Sequence, residues 1–350
     1  MLKMAAEDVI VRADAPKIPA GWDPRFSKQG GHGARSYSYH PLDEVLSSLQ
    51  KASRRGWAEE AAYWALEGFY SGVAGTRTNT WNRLLVIASE DVGVADPGLL
   101  PLLIYHSLHS RDNKYAIAAC VYLLARARKT RVSDWAACFY SNFSEVAAAT
   151  AEAGFRKALA AFARSSGTPE ELERRLVAAL LKRDMMESMK LVKLLRAHPG
   201  QRTGGRLRKA EYGVVKAFRE VVGKSRLLDA WEELVMRPNW RWADKTMVMY
   251  MHTVILWCND AWDDAEAACP TAEACASLID MPAVREMADV HERERPPHGV
   301  PDIALDMHTS RGRSMKRGFE HFVAEGALLN NEAPEWSELS AWFYEGAFGQ

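Results

Sequence analysis

Apolar residues recur at helical spacing along most of the chain, and no alternating run long enough for a strand interrupts them. The pattern predicts helices over 42–53, 57–71, 80–91, 97–109, 113–129, 133–142 and 144–164. Thr168-Pro169-Glu170-Glu171 is a capping box with proline at the first helical position, and it opens a helix to about 183. Asp184 and Glu187 repeat the box ahead of 185–197, and helices near 209–222, 225–236 and 242–259 follow. Residues 260–300 are acidic, then proline-rich, and read as a loop carrying short helices. The chain closes with predicted helices at 302–309, 314–326 and 335–346. Residues 1–40 hold Pro16, Pro19, Pro24 and a glycine cluster with little periodicity, an extended arm. The expectation is an all-α protein: arm 1–40, one helical domain over 41–165, and a second over 166–350 after the break Arg164-Ser165-Ser166-Gly167.

The stretch from Thr80 to Pro97 stands out. Thr80 can cap a helix whose apolar face carries Trp81, Leu84, Leu85 and Ala88. Gly93 supplies a permissive backbone at its end, and Asp96-Pro97 suits the start of the next helix. Glu90 and Asp91 fall in the last turn, where the helix dipole disfavours carboxylates by roughly 0.3–1 kcal/mol unless they are paired. Arg83 on the same face, or the N-terminus of another helix, is the expected partner.

Arg83, Ser89, Glu90, Asp91, Gly93, Asp96 and Pro97, within Ala-Ser-Glu-Asp-Val-Gly-Val-Ala-Asp-Pro, resemble the signature of the C-terminal domain of the RarA/MgsA ATPases. That family includes the eukaryotic Werner-helicase-interacting protein, and its domain is related to the clamp-loader collar. Ser47–Gly56, Glu60–Leu66 and Cys120–Lys129 are similar to flanking helices of the same domain, so the resemblance covers about 40–135. It implies an antiparallel helical bundle of collar type, assembly into a homo-oligomer (a tetramer), and work at DNA in replication or repair beside an AAA+ ATPase or replication protein. The family's ATPase module has no counterpart, since no Gly-x-x-x-x-Gly-Lys-Ser/Thr occurs; Gln29-Gly30-Gly31-His32-Gly33 lacks the lysine. A non-enzymatic, cofactor-free role is therefore expected.

Charge narrows the picture further. Lysine plus arginine and aspartate plus glutamate number 45 each, so any attraction to DNA must come from local clustering. Between Lys193 and Arg226 ten cations face two acids, Glu211 and Glu220. Arg202, Arg206, Arg208, Lys209 and Lys216 lie in a turn running into a helix, which suits phosphates; a solvated face balancing the acidic 260–294 stretch is the plainer reading. Trp231, Trp240 and Trp242 beside it could stack bases, though at helical spacing tryptophans more often build core. A second cluster runs from Asp302, Asp306 and His308 to Arg311, Arg313, Lys316 and Arg317. The four cations are candidate phosphate contacts. Asp302, Asp306 and His308 could instead serve a metal-assisted hydrolase or nuclease, with His291 and His298 as further ligands. As plain structure the run is a helix end followed by a cap at Thr309 or Ser310. A third reading is an adaptor without DNA contact. Glu59, Glu60 and Glu67 read as a solvated helix face. Five cysteines without a Cys-x-x-Cys pair, no signal-peptide pattern and no apolar span point to a reducing, cytoplasmic setting with no membrane and no structural zinc.

Overall fold

A computed structural model describes residues 10–20, 34–71, 74–141, 155–198, 208–235, 243–294 and 298–349. Among them the secondary structure is helical, with isolated backbone bridges and no strand. The all-α expectation holds. The chain divides into two compact units. One comprises Met1–Ile87, His106–Ala127 and Glu273–Asn331; the other comprises Ala88–Tyr105, Arg128–Ala272 and Glu332–Gln350.

In the first unit, Leu42–Arg55 and Ala58–Tyr70 form a helical hairpin. Leu42, Val45, Leu49 and Ala52 make one apolar stripe and are buried. Asp43 and Glu44 open the helix and Arg54 and Arg55 close it, matching the dipole at both ends. Gly56 ends it at φ 75°, a left-handed conformation costly for any side chain. Lys114–Arg126 and Pro282–Glu294 pack on the hairpin. The helix Ala74–Ile87 begins six residues before the expected Thr80, which is not its cap. Thr80 sits mid-helix, donates to Thr76 O at 3.0 Å and fills the space over Gly68.

The second unit stacks Pro169–Leu181, Met185–Ala197 and Arg208–Val222, and lays Ala243–Cys258 and Ser337–Phe348 against Val132–Ser141. Thr168 and Glu171 make both halves of the capping box. Met247, Tyr250, Met251, Val254 and Ile255 are buried as their spacing requires. So is Trp231, whereas Trp240 and Trp242 lie outside the described residues. The first part of the expected helix 144–164 also lies outside them; its end is Phe155–Ser165.

Three expectations near the C-terminus fail. In the 260–300 stretch Trp262–Ala268 and Ala272–Ser277 are the short helices expected, but Pro282–Glu294 is a longer helix of 13 residues. Residues 302–309 hold a single 3-10 turn, Asp302–Ala304, and the expected helix 314–326 is replaced by Ser310–Ser314, Phe319–His321 and the π-turn Phe322–Gly326. In the 302–326 stretch the buried Asp306 turns its carboxylate inward to Lys51, which is at odds with a continuous solvent-facing helix there.

Candidate functional site

The signature segment belongs to the second unit from Ala88 onward. Ala88–Val92 is a π-turn and Gly93–Ala95 a 3-10 turn ended by Asp96, so Asp96-Pro97 does not open the next helix as expected: Leu99–His109 starts two residues after Pro97. Gly93 has φ 51°, so the sequence reading of a permissive backbone is met. Ser89, Glu90 and Asp91 are all buried. The Asp91 carbonyl accepts from Thr130 N at 3.0 Å, at the entry to Val132–Ser141. Its carboxylate faces Arg131, with Nε at 3.9 Å, and the buried Lys129. Burial pushes Lys129 down to about 8 while Asp91 and Asp96 pull it up. Arg131 is also held by Asp134 and lies over the Trp135 ring at 4.2 Å. Asp91 thus meets the start of another helix and two cations that follow it closely in the fold. Arg83 donates to Gln50 Oε1 at 2.6 Å. Asp96 is raised by burial, with Arg128 and Lys129 opposing.

The second cluster lies in the first unit and is organised by a residue that the periodicity gave no reason to single out, Lys51. Its ammonium is fully buried, 2.7 Å from Asp306 Oδ2, and donates to Ser47 Oγ at 3.0 Å. Asp306 Oδ1 accepts from His308 N at 2.9 Å and lies 3.0 Å from His308 Nδ1. Burial and the neighbouring Arg54 push Lys51 down to about 7, against the pull of Asp306. Burial would raise Asp306, but hydrogen bonds from His308 and the Lys51 charge hold it well below the usual carboxylate range.

The remaining expected residues are spread among other contacts. Asp302 pairs with Arg317 at 3.0 Å, and Arg311 with Glu44 at 2.9 Å. Arg313 donates to Met307 O, and Lys316 is exposed at φ 58°. Thr309 caps Ser310–Ser314 by accepting from Gly312 N at 3.0 Å. His298 stacks on Tyr63 with centroids 4.0 Å apart, and His291 meets the same ring edge-on. Among the described residues no group of His, Cys, Asp or Glu is arranged to hold a metal ion.

Of the basic segment, Arg202 and Arg206 lie outside the described residues. Arg208 and Lys209 begin Arg208–Val222, their side chains likewise outside the description. Lys216 is exposed and 3.3 Å from Glu173. Arg219 pairs with Asp229 and Glu232, and Arg226 with Glu266, which satisfies part of the local excess.

Glu60 and Glu67 correct the solvated-face reading, for both are buried. Glu67 accepts from Ser36 Oγ, Ser38 Oγ and Ser38 N within 2.8 Å. Glu60 binds Arg12 through two 2.6 Å contacts and accepts from Trp64 Nε1 at 2.7 Å. Burial alone would raise Glu60, but hydrogen bonds from His298 and Arg12 bring it down to about 2.

Part of this chain is similar to the ATPase WRNIP1 of Dictyostelium discoideum. The two are 35% identical over 96 residues, which make up 26% of this chain and 11% of that protein. The chain thus covers about a tenth of the length of the curated relative it matches. No family model and no solved structure matches the chain. Among the described residues no helix is long and apolar enough to cross a membrane.

Proposed function

We propose that this protein is a non-catalytic accessory factor of DNA replication or repair, a collar-like homo-oligomer that docks on DNA and works beside a separate AAA+ ATPase. One observation carries the reading: the segment Ser89-Glu90-Asp91-Val92-Gly93, which resembles the family signature, is buried, with Asp91 facing Lys129 and Arg131, within a chain partly similar to the ATPase WRNIP1. A buried Asp91 beside the buried Lys129 and Arg131 is an expensive arrangement, and a chain keeps one where a specific local geometry has to be held. Here that geometry fixes the turn between Ile87 and Leu99.

The docking surface in this reading is the basic run around Arg202, Arg206, Arg208, Lys209 and Lys216, with Arg313 and Lys316 as secondary contacts. These 350 residues hold no phosphate-cradling loop, so ATP turnover belongs to the partner. The hydrolase reading of Asp302, Asp306 and His308 is less favoured, because Asp306 is fully buried and occupied by Lys51 and His308. Purified protein titrated into fluorescent forked DNA at rising salt tests the proposal. Binding that weakens steeply with salt, without ATP turnover or metal-dependent cleavage, is expected. Turnover in the pure protein or salt-independent binding would contradict it.

A further inference from the structure

A cleft of about 480 Å³ opens in the first unit beside the turn that joins Leu42–Arg55 to Ala58–Tyr70. Its apolar wall is Trp57 with Val11 and Ile303. Val11 is held there because its carbonyl accepts from Asp302 N at 2.8 Å. Trp57 occupies the N-cap of Ala58–Tyr70 and makes no side-chain capping bond. Serine, threonine, aspartate or asparagine at that position would cap the helix by accepting from a first-turn N–H. The indole is half-buried and has no ring or hydrogen-bond partner among the described residues. A large aromatic at a helix N-cap, with no polar or ring partner to hold it, leaves an indole face open to a ligand in the cleft.

The polar side of the cleft fits the same picture. His321 Nε2 is buried without a hydrogen-bond partner. Arg55 donates to Glu325 O at 3.0 Å, while its ion pair with the Glu325 carboxylate is a loose 3.8 Å. Further guanidinium donors and a half-exposed carboxylate therefore remain for a ligand. Asp302 is already neutralised by Arg317. What is left is a flat apolar face, one cation and one acceptor carboxylate, in a volume suited to a nucleotide.

We propose that this cleft binds one unstacked nucleobase of a single DNA strand. The base lies against Trp57, its exocyclic amine donates to Glu325, and its phosphate meets Arg55. The inference rests on the DNA-docking reading and names the form of DNA that the first unit takes.

The test compares a fluorescent oligo-dC strand of about eight nucleotides with an abasic strand of equal length and charge, and with duplex. Wild-type protein should bind the dC strand about 5- to 150-fold more tightly than the abasic one, as expected for one base stack. Trp57→Ser supplies a capping hydroxyl in place of the indole, and its dC affinity should fall to the abasic value while its duplex affinity stays that of wild type. A conservative Trp57→Phe should retain part of the preference. Equal affinity of wild type for the dC and abasic strands overturns the proposal, and so does a full dC preference in Trp57→Ser. In either case, intact salt-dependent duplex binding leaves the docking reading standing. Absence of binding to all three DNAs overturns both.

Discussion

Lys51 and Asp306 show what single residues decide here. Each is buried, and either alone would be an uncompensated charge in the core of the first unit. Lys51→Met should therefore lower stability by about 3–5 kcal/mol, and adding Asp306→Leu should recover part of the loss in urea denaturation. Additive losses would show that the two charges are not coupled. Asp91→Ala should cost roughly 1–3 kcal/mol, because Arg131 and Lys129 would lose a buried partner. A near-neutral shift would contradict the pairing. Histidines set the acid limit. His40 is lowered by burial to about 4 and His252 to about 3, both below the ordinary 6.5. The unfolded chain then binds protons that the folded one refuses, so stability should fall as pH drops below about 6.5. Each histidine contributes a slope of up to about 1.4 kcal/mol per pH unit. Glu60, lowered to about 2, adds a further loss below about 4.5. A flat stability profile from pH 7 to 4 would contradict the burial of both histidines. A need for pairing at Asp91 was legible from its place in a last helical turn, but Lys129 and Arg131 as the partners were not, and a buried Lys51, Glu60 or Glu67 looks in sequence like any solvated helix charge. Its partners lie far along the chain, Asp306 for Lys51, Arg12 for Glu60 and Ser36 with Ser38 for Glu67.

Elements were legible where local signals sufficed. The capping box at Thr168–Glu171, the caps at Asp184 and Thr309, and the permissive backbone at Gly93 act through neighbours in sequence. Reading failed where a long-range contact overrode periodicity. Thr80 has the chemistry of a cap, yet the helix extends back to Ala74 and the Thr80 side chain packs over Gly68 of the preceding helix. Between Asp302 and Gly326 the apolar spacing suits helices, but the path bends through short turns, with Asp306 turned inward to Lys51. Gly312 fits against that bend so closely that a Cβ would collide with the Asp306 backbone. Gly312→Ala should accordingly destabilise the first unit and expose the Lys51–Asp306 pair to exchange and proteolysis, readable as faster cleavage within 302–326. Unchanged protection would show that the bend tolerates a side chain.

At the scale of the whole molecule, the all-α class followed from the unbroken 3.6-residue periodicity, which the structure repeats in both units. Function was legible as a resemblance over one region, and the 96-residue similarity to the ATPase WRNIP1 is likewise partial. The collar-like reading expects a tetramer by light scattering, and a strict monomer at about tens of micromolar, where even weak specific interfaces assemble, would contradict it. The central claim is that the run from Lys193 to Arg226 docks DNA through its phosphates. The most direct measurement is the slope of log affinity against log salt for wild type and for a variant with Arg202, Arg206, Arg208 and Lys209 all replaced by alanine. The account predicts weaker binding to every DNA sequence alike, with a slope flattened by about 0.9 for each lost duplex contact. A variant that stays folded and binds with the wild-type affinity and slope would contradict it.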